Sequence, residues 1–271
     1  MTIFGWTMKT IKILLILFLF SATIANADIL YVSEVGCDGD DSGSSMVYCA
    51  PITAYEAQSG NFAVLTGDTV CFSGTFTSSI QPDEGGTEGS ETVLDGSGSG
   101  DCADAEEAIL EVVDQGYGII TPNAGISHLI IKGFTITNTD TGIDGVGIYI
   151  RGPDSGAAAN VEIMENDIQL YGSSDTWRTM GIFLDGAYNK FWVHGNTVIG
   201  LNEYAFEGIY LVQIANEGDS IDIRAYDNVV SDWFHGCITI SLISSGDAGS
   251  VTGAHIYGNT ISSKFWGSLS T

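Results

Sequence analysis

Basic side chains are scarce. The 271-residue chain has 8 Lys+Arg against 34 Asp+Glu, a formal net charge of −26 at pH 7. So acidic a surface repels polyanions, which excludes nucleic acid as a partner and lets an acidic polysaccharide approach only where cations bridge the two. Long apolar runs are rare as well. The one of note, Ile13 to Phe20, follows Lys9 and Lys12 and leads to Ala25-Asn26-Ala27, the small-residue spacing of a signal-peptidase site. It is too short, and wrongly flanked, for a spanning helix, so residues 1–27 read as a signal peptide in preference to an uncleaved membrane anchor. No second stretch could span a bilayer. The mature chain is expected to be a secreted, extracellular or cell-surface monomer with 6 basic against 34 acidic side chains, since cleavage removes two lysines and no acid.

Clusters of His and Cys at metal-site spacing are missing too, which leaves Cys237 as a reduced strand residue. The other four cysteines lie near the start of the mature chain, where export permits disulfides. Of the three pairings open to four cysteines, the expectation is Cys37–Cys49, closing an acidic loop, and Cys71–Cys102, tying the first coil. The loop itself, Asp38-Gly39-Asp40-Asp41-Ser42-Gly43, has calcium-type oxygens on a glycine turn but no terminal Glu, so a solvated acidic loop fits it equally.

What the chain does have is a period. Asn166, Asn196, Asn228 and Asn259 are separated by 30, 32 and 31 residues, each within a short alternating apolar segment. A second series, Gly147-Ile148-Tyr149-Ile150, Gly181-Ile182-Phe183-Leu184 and Gly208-Ile209-Tyr210-Leu211, recurs at 34 and 27 residues, around the same period. In Phe234-His235-Gly236-Cys237-Ile238 and Phe265-Trp266-Gly267-Ser268-Leu269 the glycine falls one residue earlier. The segments are β-branched and aromatic, bounded by Gly, Asn, Asp and Ser, with no long helical pattern between them. Short strands repeating at this period predict a parallel β-helix, an all-β solenoid in which each strand pairs with its counterpart one coil on.

These repeats resemble those of right-handed parallel β-helix proteins, the pectin-lyase-like superfamily, over roughly residues 60–271. In that fold asparagines stack in the tight turn after the second strand of each coil. Gly67-Asp68-Thr69-Val70, followed by Gly74-Thr75-Phe76, is similar to the family's first coil. A helical pattern at Ile52 to Ala57 would cap the open end, which makes residues 28–60 a capping region and 61–271 the repeats. The chain stops in mid-strand at Ser268 to Thr271, from which we expect a longer gene product or a lost domain. The resemblance is specific for fold and weak for chemistry, because the fold hosts lyases, hydrolases, epimerases, adhesins and viral proteins.

In family members that act on polysaccharides, the cleft runs along the sheet of first strands, here the glycine-led ones. Alternation then points Tyr149, Phe183 and Tyr210 outward in one column, with Arg151 and Asp185 one pleat further. Exposed aromatic faces suit sugar rings, although a folded-over loop could cover them instead. The loops entering these strands add Trp177, Arg178, Tyr204, Phe206, Glu207, Trp233, His235 and Trp266. Glu207 and His235 sit in adjacent coils, roughly 5–6 Å apart, as a usable proton-transfer pair or an ordinary rim salt bridge. Asp185 and Glu207 fail as a hydrolase pair, lying about 16 Å apart along the strand.

The resemblance further implies what a β-eliminating lyase would need: an Arg base, for which Arg151 and Arg178 qualify, and calcium held by acids such as Asp144, Asp154 and Asp175. Asn138-Thr139-Asp140 and His235-Gly236 are superficially similar to polygalacturonase motifs, but that family's double-Asp and basic motifs are missing, so the match is rejected. The second-strand face offers only mixed single residues, Ile130, Glu162, Trp192, Arg224 and His255, and His194 reads as a surface residue. The expected function is binding, with calcium-assisted cleavage, of a polysaccharide or cell-surface glycan on the first-strand sheet. The rivals are a non-catalytic adhesive scaffold and the glycan-binding part of a longer enzyme.

Overall fold

The structure is a computed structural model that describes residues 28–37, 43–45, 49–57, 64–82, 85–113, 116–121, 125–138, 145–152, 158–174, 179–214, 220–243 and 251–262. It is a parallel β-solenoid of about 5 turns, 4% helical. Three parallel sheets run along it. The first-strand sheet holds Tyr117–Ile120, Val146–Arg151, Met180–Asp185, Glu207–Ile214 and Gly236–Ile243. The second-strand sheet includes Leu129–Lys132, Ala158–Met164, Tyr188–His194 and Ser220–Tyr226, and the third includes Asp167–Leu170, Thr197–Gly200 and Val229–Ser231. The capping helix forms at Ile52–Ala57, and its Ile52 and Tyr55 are buried on the core.

Two columns of left-handed residues run through five successive coils. One precedes the asparagine turn: Gly133 (φ 72°), Glu165 (56°), Gly195 (65°), Asp227 (54°) and Gly258 (66°). The other lies five residues earlier, at His128 (57°), Asn160 (52°), Lys190 (62°), Asp222 (60°) and Gly253 (71°), and bends the second strand. A left-handed non-glycine residue costs about 1–2 kcal/mol, so something must hold these turns. The asparagines do. Asn166 Nδ2 donates to Asn196 Oδ1 at 2.9 Å, Asn196 to Asn228 at 3.0 Å and Asn228 to Asn259 at 3.0 Å. Each Oδ1 also accepts the backbone N–H of the preceding asparagine, and each Nδ2 reaches a carbonyl of the preceding coil. Asn166, Asn196 and Asn228 are buried, and their hydrogen bonds remove the penalty an unpaired buried amide would carry. Phe134 heads the column, its N–H donating to Asn166 Oδ1 at 3.0 Å.

Inward positions stack like on like: Ile148, Ile182 and Ile209 are fully buried, as are Val161 and Phe191 on the second sheet. Each such side chain contributes about 1.5–3 kcal/mol, repeated coil after coil. Both expected disulfides form, Cys37–Cys49 with Cα atoms 5.1 Å apart and Cys71–Cys102 at 5.4 Å. Cys237 is unpaired, and partial burial pushes its thiol up. Asp68 fixes the first coil, accepting the N–H of Asp28 at 3.0 Å and of Leu65 at 2.7 Å. Asn138 is buried and clamps the backbone of Tyr171 through both Nδ2 and Oδ1, a structural post.

Candidate functional site

The register of the first-strand sheet is Tyr149↔Phe183↔Tyr210, with Arg151↔Asp185 one pleat along. The rings form a continuous stack: Tyr117 to Tyr149 at 5.5 Å, Tyr149 to Phe183 at 5.0 Å and Phe183 to Tyr210 at 5.7 Å. Planes of neighbouring rings are within 9° between Tyr149 and Phe183 and within 11° between Phe183 and Tyr210. Flat side chains one coil apart meet face to face, so their faces are spent on each other. What they turn outward is edge and hydroxyl, and a sugar could not lie flat on the middle of this column. Tyr117, missed in the sequence, joins by leaning across from the register position of Val146. Its only sequence signal is an aromatic one place before a repeat glycine.

At one end of this face Tyr149 Oη donates to Asp185 Oδ2 at 3.1 Å. Burial, then the neighbouring Asp185 carboxylate, push the Tyr149 hydroxyl up to about 12, so it stays a donor. Arg151 is exposed, and its backbone is fixed on both sides: its N–H donates to Thr121 Oγ1 at 2.8 Å and its carbonyl accepts Tyr188 Oη at 2.9 Å.

At the other end the expected pair meets. His235 Nδ1 and Glu207 Oε1 are in direct contact, and Thr239 Oγ1 donates to Glu207 Oε2 at 3.2 Å. Glu207 is 1% exposed in the side chain, whereas His235 is 55% exposed. The displaced glycine explains the fit. Glu207 pairs with Gly236, so Cys237 takes the glycine column, and a Cβ at 236 would lie 2.5 Å from Glu207 Oε2. A larger residue there would force the carboxylate to shift from this position. Burial pushes the Glu207 carboxyl up, outweighing the opposing pull of His235 and Thr239. His235 also stacks on Phe206 at 4.8 Å. With Nδ1 held by a buried carboxylate, Nε2 is the nitrogen positioned to exchange a proton.

Trp233 departs from the expected rim. It is fully buried, and its Nε1 donates to Val198 O at 3.1 Å. The repeat glycines make the space: a Cβ at Gly181 or Gly208 would come 3.3 and 3.0 Å from its ring. Trp233 is thus a core residue and not part of the rim. Trp177, Arg178, Asp144, Asp154, Asp175 and Trp266 lie outside the described residues. Asp185 and Glu207 are five register positions apart, roughly 16 Å, as the sequence arithmetic requires. Arg151 and His235 are six positions apart, roughly 20 Å, so they cannot act on one bond.

The second-strand face holds more than the single residues expected of it. His194 Nε2 pairs with Glu162 Oε1 at 2.5 Å, and His194, Tyr226 and Tyr257 stack at 4.5 and 5.1 Å. Arg224 lies over Trp192 at 4.9 Å and is forked onto Asp222 at 2.5 and 3.0 Å. A pocket of about 330 Å³ opens there.

No protein-family profile, curated protein or solved structure matches the chain. Its chemistry has to be read from its own side chains. Among the described residues no group of three or more His, Cys, Asp or Glu side chains comes together as a metal site, and no helix is long and apolar enough to cross a membrane.

Proposed function

We propose that this is an exported β-helix protein that holds a polysaccharide along its first-strand sheet and cleaves it by β-elimination at the Glu207–His235 end. One observation carries the reading: a buried carboxylate orients an exposed imidazole, and that carboxylate lies where a side chain at position 236 would crowd it. On a uronate polymer, neutral His235 Nε2 takes the C5 proton. The released electron pair forms the C4=C5 double bond as the C4–O bond breaks, and the imidazolium returns its proton to the departing oxygen. Glu207 fixes the ring, and Arg151, at the far end of the same face, would bind a uronate carboxylate. Calcium, were it held by acids such as Asp144, Asp154 and Asp175, would neutralise that polymer. An acidic protein needs such a bridging cation. The two disulfides fit an oxidising, exported setting.

The test is incubation of the mature chain with oligogalacturonate and alginate, with calcium or with chelator, following the ultraviolet absorbance of the unsaturated product. The expected rise disappears in His235→Ala while polymer binding remains. If no product forms across a broad panel of glycans, the second reading stands: a non-catalytic adhesive scaffold. Rings that spend their faces on coil-to-coil cohesion favour that reading.

A further inference from the structure

The pocket on the second-strand sheet is lined by Glu88, Glu91, Ile130, Asn160, Val161, Glu162, Lys190 and Trp192. Its origin is a break in a column. Outward residues in register here are Ile130, Glu162, Trp192, Arg224 and His255. Between Ile130 and Trp192 the intervening Glu162 is drawn sideways to His194, so the coil between them contributes no bulk in line. Arg224, which is not part of the lining, covers Trp192 from the following coil, and Trp192 itself lines the pocket. The polar groups are held in place: Glu162 by His194, Asn160 by His128 at 3.1 Å, and Glu91 by the Gly89 N–H at 3.1 Å.

We infer that this pocket is a subsite for one unit of a neutral saccharide, separate from the first-strand sheet. Its volume is at the small end of natural ligand sites. An apolar indole face matches the C–H face of a sugar ring. The polar lining decides the charge. Lys190 and Asn160 donate, while Glu88, Glu91 and Glu162 accept. An amine would use only the acceptors and meet Lys190, and a uronate would use only the donors and meet three carboxylates. A neutral polyol uses both sets.

The test is titration of the full mature chain with cellohexaose, mannohexaose, xylohexaose and laminarihexaose by calorimetry and tryptophan fluorescence, with oligogalacturonate as the acidic control. At least one neutral oligomer should bind. Trp192→Ala should weaken it tenfold or more and Trp192→Phe by less. Glu88→Ala, an exposed rim change outside the core, should weaken it two- to fivefold with the fold intact. His235→Ala should bind as the parent does, which separates this site from the proposed cleavage centre. Absence of binding by all four oligomers overturns the inference. So does affinity unchanged in both Trp192→Ala and Glu88→Ala, or affinity lost in His235→Ala.

Discussion

On the first-strand sheet, Tyr149, Phe183 and Tyr210 occupy one register column and fill the gap between coils with one another. On the second-strand sheet the corresponding column runs Ile130, Glu162, Trp192 and Arg224, and a pocket opens where the shapes disagree. Both faces are built on the same repeat and differ only in how well neighbours match. Like residues stacked one coil apart close a face, whereas unlike ones leave a hole. In a solenoid, concavity is a lapse of periodicity.

Perturbing each face tests this contrast. The largest effect belongs to the exception on the regular face, the Glu207–His235 end. His235→Ala should lower any cleavage rate by about 10²–10⁴-fold. Because burial raises the Glu207 carboxyl, activity needing its ionised form should fail at a pH above the ordinary carboxylate range, about 4.3. The sign for stability is opposite: the folded chain holds that proton more tightly, so stability is greatest in acid and is lost as pH rises through the raised value. Glu207→Gln should therefore match the parent in denaturation midpoint near about pH 4 and exceed it at neutral pH.

Next comes the regular column itself. Phe183→Ala removes a half-buried ring between two others, and should cost about 2 kcal/mol in urea unfolding while creating on this face a cavity like its counterpart's. A crystal structure of the variant with Tyr149 and Tyr210 collapsed together would break the comparison. Tyr149→Phe keeps the stack and deletes the bond to Asp185, for about 0.5–1.5 kcal/mol. The smallest effect is expected opposite. His194→Gln removes the partly exposed pairing with Glu162 and should cost about 0.2–1 kcal/mol, but it frees Glu162 to swing into line and shrink the pocket.

The periodic part of this molecule was legible in the sequence because each coil restates it. Asn166 to Asn259 gave the turn, the glycine-led segments gave the register, and together they brought Glu207 beside His235. Trp233 was misread because an aromatic next to a loop looks the same whether it faces solvent or core. Only the empty volume above Gly181 and Gly208 decides, and glycine spacing hints at that volume without saying what fills it. The orientation of the stacked rings was also hidden, since alternation tells which side a ring is on and not which way its plane lies. The second face was missed for a different reason. Its contacts depend on bends at Asn160, Lys190 and Asp222, residue types with no common signature, and on a carboxylate crossing between columns.

The asparagine row has an implication for how such a chain can change length. Each amide bonds its counterpart in the next coil, through an identical arrangement of atoms at Asn166, Asn196 and Asn228. Deleting or duplicating the stretch between two equivalent asparagines would let the cut ends rejoin with every amide partnered. A gene encoding this molecule can therefore grow or shrink by whole rungs, while an indel of a few residues survives only in the loops outside the row.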